Sequence, residues 1–178
     1  MGAARFDESI PFKGLRIAVM TVSDTRTEAT DKSGAYLVKS ALEAGHQVMD
    51  KVIVPDDRKR IEVQLRRWVN EPNIEVVLAT GGTGVTARDV TPEAFEAVWE
   101  KPIPGFGELF RTLSYEHIGT STIQSRAWAG VARGTYLFAL PGSTGACKDA
   151  WTGILRYQLD IRHRPCNFAE LIPRLMTG

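Results

Sequence analysis

The sequence is poor in the residues that build cross-links and metal centres. It has two cysteines, Cys147 and Cys166, which lie outside any C-x-x-C pattern, and three histidines that stand far apart. Two widely separated cysteines argue against both a disulfide framework and a thiolate metal site. Histidines without a partner at ligand spacing are interpreted as ordinary polar side chains.

Charge of one sign and long apolar runs are scarce as well. The chain has 22 Lys and Arg against 21 Asp and Glu, a net charge of +1, and the two signs are interspersed. This pattern favours neither a nucleic acid nor a membrane as a partner. No apolar run reaches the ~18 residues of a spanning helix. The first residues, with Arg5, Asp7 and Glu8, lack the apolar core of a signal peptide. We therefore expect a cytoplasmic protein.

Length and composition are typical of a globular protein. The 178 residues are 43% hydrophobic and 24% charged, and a chain of this size buries roughly 70% of its unfolded surface. Residues 1–13 are polar and contain Pro11, which indicates a flexible N-terminal lead-in. We expect residues 14–178 to form a single domain.

Apolar runs and amphipathic segments alternate along this domain. Continuous apolar runs over residues 15–22, 74–80 and 136–140 predict strands buried on both faces. Residues 48–54, with an imperfect alternation of apolar and polar side chains, predict a further strand. The amphipathic segments between them predict helices, with N-caps at Ser33, at Asp56 or Asp57, at Thr91 and at Ser143. The segment 119–133 has no assignable periodicity. The alternation predicts an α/β protein with a mostly parallel sheet and helices on both faces.

One stretch in the middle of the chain organises the rest. The third predicted strand leads into a loop that holds Gly81, Gly82 and Gly84, whose backbone can adopt positive φ and approach a ligand closely. A helix is then predicted to begin at Thr91. Strand, glycine loop and helix start together form an anion site. Asp89, inside this loop, indicates that a metal ion accompanies the anion.

Two better-known glycine motifs do not fit this stretch. The residues at 82–87 match G-x-G-x-x-A, but no helix begins there and no later strand places an acid about 20 residues on. A P-loop needs Gly-Lys-Ser/Thr, which the sequence lacks. A glycine-rich turn with no ligand is the alternative interpretation, although Arg88 and Asp89 are unusual choices for a plain turn.

The other unusual polar residues also follow predicted strands. Ser23 and Asp24 follow the first strand, Asp56 follows the second, and Ser143 follows the last. In open α/β sheets, ligands bind outside the carboxyl ends of the strands. Carboxylates beside an anion loop predict a phosphorylated ligand bound with Mg²⁺, since Mg²⁺ prefers one or two carboxylates plus phosphate oxygens and water.

The motifs resemble those of a known family. TGGTG at 80–84, RDVTPEA at 88–94, PGFGE at 104–108 and LPGS at 140–143 are similar to the signature of the molybdenum cofactor biosynthesis family that contains MogA and MoaB. IGTST at 118–122, QSRA at 124–127, PGSTGAC at 141–147 and RPCNF at 164–168 look closest to its bacterial MoaB members. The resemblance runs from about residue 15 to residue 168.

This resemblance implies a three-layer α/β/α fold that assembles as homotrimers or homohexamers. It implies that molybdopterin is bound and that active members transfer AMP from Mg-ATP to its terminal phosphate, releasing pyrophosphate. Other molybdenum cofactor biosynthesis proteins are further expected partners. Members with a MoaB-type Ser143-Thr144 pair are not all catalytic, so three functions stay open: a molybdopterin adenylyltransferase, a non-catalytic molybdopterin carrier, and a nucleotide-binding protein outside this pathway.

The resemblance also assigns roles to residues. Asp56 and Asp89 match the functional aspartates, with Mg²⁺ as their expected ligand. The predicted substrate-binding residues are Ser23, Asp24, Thr80, Gly81, Gly82, Thr83, Gly84, Glu108, Ser125, Arg126, Pro141, Gly142 and Ser143. For Glu108 and Arg126, a structural ion pair or cap is the alternative.

Overall fold

The computed structural model describes residues 5–176. The strands are β1 (Arg5–Phe6), β2 (Arg16–Val22), β3 (Gln47–Val54), β4 (Val76–Thr80), β5 (Lys101–Pro102), β6 (Trp128–Ala132), β7 (Thr135–Leu140) and β8 (His163–Arg164). The α-helices are α1 (Lys32–Glu43), α2 (Arg58–Val69), α3 (Thr91–Glu96), α4 (Pro104–Ile118), α5 (Thr144–Ala150) and α6 (Arg156–Gln158). A π-helical segment, Trp151–Leu155, joins α5 to α6, and 3₁₀ helices cover Gly119–Gln124 and Ala169–Arg174.

The main sheet has the strand order β3-β2-β4-β7-β6-β5. Strands β3, β2, β4 and β7 are parallel, whereas β6 and β5 are antiparallel to their neighbours. The α/β class and the mostly parallel sheet are therefore confirmed. The antiparallel strand β6 lies in the segment that periodicity left unassigned.

Helices cover both faces of this sheet because its central strands are apolar on both sides. One face packs against α1, α4 and α5 through residues such as Leu37, Phe110 and Ala150. The other packs against α2 and α3 through residues such as Trp68 and Phe95. The result is the expected three-layer α/β/α arrangement.

The register of the parallel strands brings their carboxyl ends to one edge. Thr80 at the end of β4 pairs with Thr21 of β2 and with Leu140 of β7. The Gly81 amide extends this ladder by donating to the Leu140 carbonyl at 3.0 Å. The loops after β2, β4 and β7 therefore leave the sheet side by side, which is where the polar residues were predicted to meet.

The N-terminal segment contacts the rest of the chain from Arg5 onward. The expected flexible lead-in includes residues 1–4, which lie outside the described residues. Strand β1 pairs antiparallel with β8, and the Asp7 amide donates to the Arg162 carbonyl at 2.8 Å. The Phe12 ring lies 5.5 Å from that of His46. Sequence pattern could not show this packing, because each contact joins the segment to residues far along the chain.

Two predicted helix caps are wrong. Asp31 rather than Ser33 caps α1, accepting from the Gly34 amide at 2.8 Å. Val90 occupies the N-cap position of α3, and the Thr91 hydroxyl donates instead to the Gly81 carbonyl at 2.8 Å. In both cases a tertiary hydrogen bond competes for the hydroxyl. Among residues 5–176, no helix combines the length and apolar character needed to cross a bilayer.

Candidate active site

The glycine loop departs from β4 in a conformation that needs glycine. Gly81 has a φ of +105° and Gly82 a φ of +63°, a region that side chains disfavour. A Cβ on Gly81 would lie 2.2 Å from the Val22 carbonyl oxygen, and one on Gly82 would lie 2.4 Å from the Thr91 hydroxyl. The loop is therefore pressed against the end of β2 and the start of α3, with its backbone open to a ligand.

Asp56 faces this loop from the end of β3. Its neighbour Asp57 caps α2 by accepting from the Arg60 amide at 2.8 Å, which leaves the Asp56 carboxylate available, as predicted. Asp56 and Asp24 exchange two hydrogen bonds of 3.2 Å, each carboxylate accepting from the other residue's amide. The loops after β2 and β3 are thus joined beside the glycine loop.

Asp89 approaches from the far end of the glycine loop. One carboxylate oxygen accepts from the Thr86 amide at 2.9 Å and from the Thr86 hydroxyl at 2.6 Å. Burial alone would raise the pKa of Asp89, but these bonds, the Gly84 amide and the charge of Arg126 hold that pKa below its usual value. Asp89 therefore stays ionised.

Asp56 experiences the opposite environment. Burial, together with the nearby charge of Asp89, raises the pKa of Asp56 above its usual value. Two carboxylates that repel each other at an anion site are relieved by a divalent cation. Within residues 5–176, no cluster of three or more metal-ligating side chains is formed. The donor set fits Mg²⁺ that completes its coordination with ligand phosphates and water, rather than a metal caged by protein.

The loop after β7 supplies the opposite wall. Ser143 caps α5, as predicted, by accepting from the Ala146 amide at 3.1 Å. Thr80 fixes the loop by donating to the Pro141 carbonyl at 2.8 Å. Cys147 lies buried beneath it, and burial raises the pKa of its thiol to about 11. The thiol is therefore protonated at neutral pH and unsuited to act as a nucleophile.

Two cavities meet at this edge of the sheet. The larger, of about 880 Å³, runs between the glycine loop and α4, and we name it the wide cavity. The smaller, of about 370 Å³, lies between the loops after β2, β3 and β4, and we name it the polar cavity. The two share four residues, Gly82, Asp89, Gly142 and Ser143. Ligands in the two cavities would therefore contact the same four residues.

Most of the predicted site residues line these cavities. The wide cavity includes Thr83, Gly84, Ser125 and Pro141, and the polar cavity includes Ser23, Asp56, Thr80 and Gly81. Three predicted residues lie elsewhere. Asp24 lies beside the polar cavity and forms an ion pair with Arg88. Glu108 lies on the exposed side of α4, and Arg126 lines an outer cavity of about 430 Å³ that shares Asp89 with the other two cavities.

Three lining cations were missed by motif reasoning. Arg26 and Lys32 line the polar cavity, and Lys148 lines the wide cavity. Arg26 and Lys32 belong to the polar segment after β2, which is rich in phosphate-binding groups. The composition of that segment could therefore have indicated both residues. Lys148 lies one turn into α5 and has no such signal, because its position depends on how α5 packs beside α4.

Comparisons with known proteins identify relatives of this chain. The family described as "Probable molybdopterin binding domain" matches residues 18–161. Molybdenum cofactor biosynthesis protein B of Escherichia coli (strain K12) is 54% identical over 160 residues, which cover 90% of this chain and 94% of that protein.

Solved structures share the fold. A crystal structure of molybdenum cofactor biosynthesis protein B has a TM-score of 0.80 at 44% identity, covering 83% of this chain and 92% of that chain. The tungsten cofactor synthesizing protein MoaB from Pyrococcus furiosus has a TM-score of 0.71 at 37% identity, covering 80% and 91%. Sequence and structure together show that the chain belongs to the molybdopterin-binding family that includes molybdenum cofactor biosynthesis protein B.

Proposed function

We propose that this protein acts in molybdenum cofactor biosynthesis, where it binds molybdopterin and transfers AMP from Mg-ATP to the terminal phosphate of the pterin, releasing pyrophosphate. The observation that carries the proposal is the pair of cavities that meet at Asp89 and Ser143. Adenylyl transfer needs two phosphorylated substrates whose phosphates approach each other, and this shared boundary offers a place for them to do so.

The wide cavity suits the pterin. Its volume of about 880 Å³ falls in the range of small-molecule sites. Ile118 and Ala146 give it apolar surface, while Ser121 and Ser125 supply polar groups. Lys148 adds a cation to the lining. A flat heterocycle with a terminal phosphate can place its ring against the apolar surface and its phosphate near Ser143.

The polar cavity suits a nucleotide polyphosphate. Ser23 and Ser33 line it together with the backbone of Gly81, and Arg26 and Lys32 supply positive charge. Ser33 donates to the Gly142 carbonyl at 2.9 Å, which holds the start of α1 against the loop after β7. Hydroxyls, glycine amides and cations are the groups that bind phosphate oxygens.

The two carboxylates suit the metal that accompanies ATP. Asp56 and Asp89 are the residues that would hold Mg²⁺, which supplies neutralisation of the charge on the phosphates. Because the pterin phosphate is already ionised, it needs in-line placement against the α-phosphorus of ATP rather than a general base. A new P–O bond then forms there, and the bond to pyrophosphate breaks.

We also propose that the protein is cytoplasmic and self-associates as a trimer or hexamer. Apolar side chains of α4 and the following 3₁₀ helix support self-association, since Tyr115 is 58% exposed and Ile123 is 81% exposed. Exposed apolar groups that lie together often mark interfaces. Other proteins of molybdenum cofactor biosynthesis are possible further partners in the same proposal.

The proposal is tested by direct measurement of AMP transfer. Purified protein is incubated with Mg-ATP and molybdopterin, and adenylylated pterin and pyrophosphate are followed by chromatography. We expect both products in equal amounts at a catalytic rate. Pterin binding without product would instead identify a non-catalytic carrier, and ATP binding without pterin affinity would place the protein outside this pathway.

A further inference from the structure

Arg126 contacts the glycine loop at both ends. Its Nε donates to the Gly84 carbonyl at 2.6 Å, and its Nη2 donates to the Asp89 carbonyl at 2.6 Å. Both Nη atoms also donate to the carboxylate of Glu93 in the first turn of α3. The Arg126 amide donates to the Thr83 carbonyl at 2.9 Å. One residue therefore links the loop and the start of α3 to the segment that leads into β6.

These contacts leave the guanidinium little capacity for a ligand. Four hydrogen bonds occupy most of the five N–H groups that an arginine offers. Burial would raise the pKa of Glu93, but the hydrogen bond and charge of Arg126 hold that pKa below its usual value, so the pair is ionised. Arg126 lies with Glu93 and Val85 at the outer cavity, behind the loop.

The loop itself has few other links to the body of the protein. Residues 85–88 are exposed, and the bonds between Thr86 and Asp89 stay within the loop. The Arg88–Asp24 ion pair joins the loop to another loop, and Arg88 is 71% exposed. Such exposed pairs contribute little to stability. The planar guanidinium of Arg126 donates to several acceptors at once and restrains the loop more strongly than this ion pair does.

We propose that Arg126 is a positioning residue. It fixes the loop 84–89, and through that loop the Asp89 carboxylate, in the geometry that holds the metal on the nucleotide. The inference rests on the proposed function for the identity of the metal and nucleotide, whereas the loop restraint does not depend on it. A misplacement of a metal ligand by a fraction of an ångström reduces both affinity and rate.

The loop restraint is tested by amide hydrogen exchange in Arg126→Gln. We expect the hydrogen-bonded amides of Thr86 and Asp89 to exchange about tenfold faster than in the unmodified protein. The reason is that the variant lacks the main contact that resists opening of the loop. Arg66→Gln is the matched control, because Arg66 donates a single bond of 2.6 Å to the Ala97 carbonyl at the other end of α3. Equal exchange in Arg126→Gln and in this control would overturn the proposal.

The functional consequence is tested by two binding measurements. Mn²⁺ replaces Mg²⁺ in the presence of ATP and is followed by electron paramagnetic resonance, and molybdopterin affinity is measured by fluorescence without metal. In Arg126→Gln we expect Mn²⁺ binding to weaken by at least about tenfold. Pterin affinity should stay within about twofold. A comparable loss of pterin affinity would identify Arg126 as a substrate contact and overturn the proposal.

Two further variants separate positioning from general stability. Arg126→Lys keeps the charge but cannot reach all three acceptors, so Mn²⁺ binding should not be restored. Glu93→Gln keeps the donors of Arg126 and should affect the loop amides less than Arg126→Gln. Full rescue by lysine would overturn the proposal. If the unmodified protein binds no Mn²⁺ with ATP, the proposed function fails, and exchange and pterin affinity still decide the role of Arg126.

Discussion

Substitution of asparagine for Asp56 or for Asp89 should slow AMP transfer in both cases. The two substitutions should change the free energy of unfolding in opposite directions. Asp89→Asn and Asp56→Asn each remove one carboxylate from the metal. We expect each to lower the rate of AMP transfer by at least about a hundredfold, or about 2.7 kcal/mol. Asp89, however, accepts bonds from the amide and hydroxyl of Thr86, whereas Asp56 is disfavoured as an anion by burial and by Asp89.

The expected stability changes follow from these surroundings. Asp89→Asn should lower the free energy of unfolding by about 1 kcal/mol, since charged acceptors make stronger hydrogen bonds than an amide does. Asp56→Asn should raise the free energy of unfolding by about 0.5 kcal/mol. The gain is small because the side chain is partly solvated and water screens its charge. For a chain of this length, 1 kcal/mol corresponds to about 2–4 °C in Tm.

These two stability changes should depend on pH in different ways. The pKa of Asp56 is raised in the folded state, so its ionisation destabilises the protein above that pKa, and the penalty disappears below the ordinary value of 3.8. The gain from Asp56→Asn should therefore be complete at pH 7 and shrink toward acid. The pKa of Asp89 is lowered, so its contribution is complete above 3.8 and is lost as pH falls through the folded pKa.

Urea unfolding at pH 7, pH 4 and pH 3, without metal or nucleotide, measures these changes. Thr86→Ala is the control for loop organisation, because it removes one bond to Asp89 and leaves both carboxylates in place. Stabilisation by Asp89→Asn, or destabilisation by Asp56→Asn at pH 7, would refute the electrostatic reasoning. Wild-type AMP transfer in either aspartate variant would refute the metal role.

The remaining predictions concern a cation and two thiols. Arg26→Ala should raise the KM for ATP by about tenfold, because the variant lacks a charge-assisted contact to phosphate. Pterin affinity should not change. Lys59→Ala on the exposed side of α2 is the control, and an equal rise in both variants would contradict a local contact. Iodoacetamide at pH 7 should alkylate the exposed Cys166 and spare the buried Cys147, whose pKa is raised to about 11. Mass spectrometry of the folded protein measures both, and rapid modification of Cys147 would contradict the burial argument.

The sequence alone determined the features that depend on neighbouring residues. Alternating apolar runs and amphipathic segments predicted the α/β class, because periodicity reflects how a segment meets the core. The glycines at 81 and 82 were recognised because their backbone conformation is local. The pair Asp56-Asp57 was recognised as one helix cap and one free carboxylate, but the structure was needed to show that Asp57 is the cap of α2.

The tertiary structure decided the features that join distant residues. Arg126 and Gly84 are 42 positions apart, and no local pattern shows that the arginine is committed to the loop's carbonyls. The assignments of Ser33 and Thr91 as caps failed because each hydroxyl bonds another loop instead, at Gly142 and Gly81. Sequence motifs thus identified which residue types gather at the carboxyl edge of the sheet. Only the fold assigns each one to a cavity or to a structural contact, because packing decides which partner each polar group meets.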